Sequence, residues 1–107
     1  MKIVITSTGN TETALFDQRF GRAGWFCLFN TENGETSFYE NKNVNAMGGA
    51  GTKSAETMVE LGIEKVISGH FGPKAKDMLD KFKIQMIMLQ DEKITVQGVI
   101  EKFQFKK

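Results

Sequence analysis

Val66-Ile67-Ser68-Gly69-His70-Phe71-Gly72-Pro73-Lys74-Ala75 is the stretch that decides the fold. It begins as a β-branched run, breaks at a glycine–histidine turn and restarts at a proline. The apolar run reads as a strand buried on both faces. Pro73 suits the first position of a helix, where its missing N–H costs nothing. Ala75, Met78, Leu79 and Phe82 then recur at helical spacing. Gln85-Met86-Ile87-Met88-Leu89 is the next strand. A strand, a helix and a second strand in such close order require parallel pairing through a right-handed crossover.

Toward the N-terminus the pattern repeats. Ala55, Met58, Val59 and Gly62 share one helical face, and Gly62 reads as a left-handed cap with Ile63 folding back behind it. Asn41 to Gly51 is polar and rich in glycine, which predicts a loop carrying Gly48, Gly49 and Gly51. Asn33-Gly34 supplies turn chemistry between Trp25–Phe29 and Thr36–Glu40, so these segments form a hairpin. Ile3-Val4-Ile5 is the first strand and runs into the polar loop Thr6-Ser7-Thr8-Gly9-Asn10. Toward the C-terminus, Val96, Val99, Ile100 and Phe103 give a last amphipathic helix, weakened by Gly98. The expected order is β-β-β-α-β-α-β-α in a single α/β domain over residues 1–107. It predicts a mixed, mostly parallel five-stranded sheet with helices on both faces. Ile3, Val4, Ile5, Val66, Ile67, Met86, Ile87 and Leu89 are the expected core.

The chain has 107 residues, 40% hydrophobic and 25% charged, which suits one folded core and argues against wholesale disorder. Fourteen Lys and Arg balance thirteen Asp and Glu, so no basic excess points to nucleic acid. Lys102, Lys106 and Lys107 read as a solvated tail. Cys27 is the one cysteine, which excludes an internal disulfide or a four-thiolate site within the chain. No run is long enough to span a bilayer, and no signal-peptide core precedes the first strand, so the cytoplasm is the expected compartment.

Ligands of open α/β sheets sit beyond the carboxyl ends of the parallel strands. Three loops leave such ends: Ser7 to Asn10, Ser68 to Gly72, and the segment after Leu89. The glycine loop enters the first helix at the same edge. Glycines let backbone N–H groups approach a ligand, and helix N-termini favour anions. Arg19 and Arg22, the two arginines, are placed to close over the same site. The implied ligand is an anion held largely by backbone, with Gly48, Gly49, Gly51, Ser68, Gly69, Gly72 and the arginine pair around it. His70 is the only histidine, and at a strand end it is the expected metal contact. Cys27, in mid-strand, reads as a small buried hydrophobe. The six methionines fall mostly on core stripes, with Met47 as the one that could face a ligand.

Asp17-Gln18-Arg19-Phe20-Gly21-Arg22-Ala23 resembles the D-x-R-F-G-R-A block of the dinitrogenase iron–molybdenum cofactor biosynthesis family. Gly48-Gly49-Ala50-Gly51 before a helix is similar to its second block, and Val66-Ile67-Ser68-Gly69, then Phe71-Gly72-Pro73-Lys74-Ala75, resembles its third. The resemblance implies a ribonuclease H-like sheet. It also implies binding of an anionic iron–sulfur or iron–molybdenum type cluster or its precursor, with a cofactor-assembly protein as a further partner.

Other readings stand beside it. Ile3-Val4-Ile5-Thr6-Ser7-Thr8-Gly9-Asn10-Thr11-Glu12-Thr13-Ala14 resembles the phosphate-loop opening of flavodoxins, which would make the chain a flavin carrier. Phe103 and Phe105 would dock on a partner in a pure interaction module. A nuclease needs carboxylates converging on magnesium, and Lys2 to Thr6 has none. With no Ser-His-Asp spacing or complete P-loop, a carrier without catalytic activity is expected.

Overall fold

The structure is a computed structural model that describes residues 1–103. In chain order the elements are β1 (Lys2–Ser7), β2 (Trp25–Asn30), β3 (Thr36–Glu40), α1 (Ala50–Glu60), β4 (Lys65–Ser68), α2 (Pro73–Lys81), β5 (Gln85–Met88) and α3 (Val96–Lys102). The strands form one sheet in the order β3-β2-β1-β4-β5. β1 pairs with β4 and β4 with β5 in parallel, whereas β2 is antiparallel to both β1 and β3. This is the mixed, ribonuclease H-like arrangement that the resemblance implies. Parallel and antiparallel pairings are equal in number rather than mostly parallel, because the hairpin adds its second strand outside β2.

The period-2 alternation of the strands divides the core in two. Val4, Phe26, Leu28 and Val66 face α1 and α2, and are joined there by Phe20, Ala55, Met58, Phe71 and Leu79. Ile3, Ile5, Cys27, Phe29 and Ile67 face α3, and pack on Val96, Val99 and Ile100. Full burial of each such branched or aromatic side chain contributes about 1.5–3 kcal/mol.

The helix boundaries have local causes. α1 starts at Ala50, so Ala50 and Gly51 belong to its first turn rather than to the preceding loop. It ends through Gly62, whose φ of 70° lets Ile63 N–H reach back to the Met58 carbonyl at 3.0 Å. Pro73 opens α2 as expected. α3 is capped by Thr95, whose side chain accepts a 3.0 Å hydrogen bond from Gly98 N–H.

Two expectations about burial need correction. Met86, Ile87 and Leu89 are only half-buried, because β5 is an edge strand covered by one neighbour. Phe82 is half-exposed just past the last residue of α2, where Lys81 Nζ lies 6.0 Å from its ring centre. Phe103 packs partly buried against the α3 side of the core, while Phe105, Lys106 and Lys107 lie outside the described residues.

Candidate functional site

The site begins with a buried carboxylate. Asp17 is 4% exposed and sits where the chain doubles back on β1: its N–H bonds the Thr6 carbonyl at 2.9 Å. Its Oδ1 accepts from Arg19 N–H at 3.0 Å and from Arg19 Nε at 3.1 Å. Its Oδ2 accepts from Arg19 Nη2 at 3.1 Å and from Gly24 N–H at 3.4 Å. One carboxylate thus staples both ends of the turn from Asp17 to Gly24. Arg19 is held protonated more firmly than an ordinary arginine, first by these hydrogen bonds and then by the charge of Asp17.

The same turn is wedged against β4 and α1. Phe20 N–H bonds the His70 carbonyl at 3.1 Å, and the Phe20 ring lies 5.2 Å from that of Phe71. A Cβ on Gly21 would stand 2.9 Å from the Gly51 backbone, so Gly21 and Gly51 allow the turn to touch the first residues of α1. A Cβ on Gly51 would in turn stand 3.2 Å from Ala75 Cβ. The first turns of α1 and α2 therefore lie side by side.

Between them opens a cavity of about 510 Å³. Its floor is apolar, from Phe20, Ala50, Pro73 and Ala75, and Arg19, Arg22, Lys74 and His70 stand around it. Neither helix has a side chain capping its N-terminus, and neither has an acid in its first turn. The first backbone bonds of the helices run from Lys53 N–H to Gly49 and from Lys76 N–H to Gly72, both at 2.9 Å. The earlier N–H groups point out of the helix ends, as orphan donors do. Two adjacent positive helix ends with nearby cations suit an anion.

The structure brings together Arg19, Arg22, Gly49, Gly51, His70 and Gly72 of the residues expected from the sequence. Gly48 lies outside the lining, one residue before the left-handed Gly49 (φ 72°) that starts α1. Ser68 is fully buried on the α1 and α2 side of the sheet, where its hydroxyl accepts from Thr6 Oγ1 at 2.9 Å. Gly69 is buried because the backbone of Gln18 passes 2.9 Å from where its Cβ would be, and Gln90 Nε2 donates to its carbonyl. Ser68 and Gly69 thus brace the site from behind.

The loop after β1 is also turned elsewhere. Ser7 and Thr8 hydroxyls donate to the carbonyls of Gly9 and Leu15, and an extended segment rather than a helix follows. A flavodoxin-like phosphate loop would leave those donors to the ligand. The segment after β5 buttresses Gln18 through the Asp91 carbonyl at 2.8 Å. Met47 is fully exposed outside the lining, and Cys27 is buried on the opposite face with α3. Among the described residues no cluster of three or more His, Cys, Asp or Glu could hold a metal ion. Lys74 and Thr52 were missed by the sequence reading. The signal for Lys74 was its place just after Pro73 in a first helical turn.

The model of the dinitrogenase iron–molybdenum cofactor family matches residues 1–106. The chain belongs to that family. An uncharacterised protein of Methanocaldococcus jannaschii is 31% identical over 97% of this chain and 92% of its own length. Among solved structures, the apo form of the orange protein from Desulfovibrio gigas superposes with a TM-score of 0.89 at 27% identity, over 96% of this chain and 86% of that one. A Thermotoga protein solved as a candidate NifB protein gives a TM-score of 0.82 at 28% identity, with the same coverage of 96% and 86%. Among the described residues, no helix of this family member is long and apolar enough to cross a membrane.

Proposed function

We propose that this chain is a non-catalytic carrier of an anionic metal–sulfur cluster, of iron–sulfur or iron–molybdenum type, or of its precursor. The observation that carries the proposal is the cavity between the uncapped N-termini of α1 and α2, rimmed by Arg19, Arg22 and His70. The cluster is cargo. Its sulfide faces would meet apolar walls and N–H donors, and its negative charge would meet the guanidinium groups and helix dipoles. His70 would supply the one direct contact to a metal of a preformed cluster. The donor set fits such cargo better than a bare cation, which needs several convergent ligands.

Membership of the cofactor family and likeness to an orange protein solved in an apo form both support a ligand carrier. A cofactor-assembly protein would be the partner that supplies or accepts the cargo, in the cytoplasm. The test is metal and sulfide analysis, with an absorption spectrum, of protein purified without oxygen. Molybdenum or iron together with acid-labile sulfide and charge-transfer bands is the expected result. A flavin spectrum without metal would replace this reading with a flavin carrier.

A further inference from the structure

Lys74 is the cation in the cavity that local structure does not explain. It occupies the second position of α2, in the turn that carries the positive end of the helix dipole. A cation there is disfavoured relative to a neutral residue. Residues that break a local rule without local compensation are expected at functional or strained positions. Among the described residues Lys74 has no carboxylate within ion-pair distance, although Asp77 lies one turn along α2. Lys76 and Lys81 lie further along the same helix, outside the cavity lining.

The other cations differ. Arg19 is bound through its Nε and Nη2 to the two oxygens of Asp17, so much of its charge is already answered by the protein. Its forked contact fixes the turn that shapes the wall. Arg22 donates through Nη1 to the Val44 carbonyl at 2.7 Å, which neutralises no charge. Lys74 and Arg22 therefore carry the uncompensated positive charge around the cavity, on α2 and on the turn before β2.

We propose that Lys74 is a principal charge contact of the bound anion. The inference rests on the carrier reading and deepens it: the site grips a multiply charged, sulfide-faced anion through Lys74, Arg22 and the two helix ends. It also accounts for the position of Lys74. The charge that destabilises the empty helix end becomes favourable once an anion lies against it.

The experiment is an anaerobic titration of the purified chain with tetrathiomolybdate, followed by its visible absorption. The wild type, Lys74→Gln, Lys74→Arg and Lys76→Gln are compared, and the melting temperature of each unloaded protein is measured. Lys74→Gln should weaken binding about ten-fold, the loss of one charge-assisted contact. It should leave the melting temperature unchanged or raise it. Lys74→Arg should restore most of the affinity, and Lys76→Gln, which removes the same charge off the cavity, should stay within about two-fold of wild type. Equal affinities for Lys74→Gln and Lys76→Gln would overturn the role of Lys74 while leaving the carrier reading intact. A wild type that does not take up the probe at all would instead remove the carrier reading, and this inference with it.

Discussion

At the scale of the residue, the glycines separate into those that build the site and those that border it. Gly21 cannot gain a Cβ without meeting the Gly51 backbone at 2.9 Å, and backbone on both sides leaves little room to relax. Gly72 has ordinary φ and ψ and nothing within 4 Å of an added Cβ. Gly21→Ala should therefore cost about 1–3 kcal/mol in urea unfolding. Gly72→Ala should stay within about 0.5 kcal/mol of wild type. Equal losses for the two would contradict the close approach of the Gly21 turn to α1. The Asp17 hub was legible only in part. Its motif was readable, but the four donors converge on the carboxylate through folding, and spacing alone does not show that Arg19 turns back onto Asp17. The sequence reading consequently gave Arg19 and Arg22 the same role.

At the scale of the element, helical periodicity located the helices, and apolar runs with turn chemistry located the strands, because each buries a stripe or a face. Neither signal showed which strand would be an edge. Met86 and Ile87 carry the same apolar signal as Val66 and Ile67, yet β5 has a neighbour on one side only. Leu79, fully buried where α2 meets the sheet, is the contrasting case. Leu79→Ala should lower unfolding free energy by about 2–5 kcal/mol, whereas Met86→Ala should fall at or below the lower end of that range. Chemical denaturation of both variants checks the ranking, and a larger loss at Met86 would contradict the edge placement of β5. The segment from Thr8 to Gly24 was the least legible element. Thr8 N–H bonds Leu15, Asp17 N–H bonds Thr6 and Phe16 N–H bonds Ile94, all at 2.9 Å, and such long-range pairings leave no periodic signature.

At the scale of the whole molecule, the sheet separates two functions. The α3 side is a closed apolar core that holds Cys27 out of reach of the cavity. The α1 and α2 side brings two helix ends and the Asp17 turn to one opening. The sequence indicates an anion site where strand-end loops enter helix N-termini, near glycines and arginines. The contact of the two helix ends through Gly51 and Ala75 is a tertiary feature that spacing does not show. The central claim is that an anionic metal–sulfur species lies in this opening. Amide chemical-shift mapping of the 15N-labelled chain during anaerobic addition of tetrathiomolybdate tests it most directly. The account predicts saturable shifts at Ala50, Gly51, Thr52, Lys74 and Ala75, with His70 and Arg22 affected and Val99 and Ile100 unmoved. Shifts centred on α3 or on the Ser7 to Asn10 loop, or none at any amide, would contradict it.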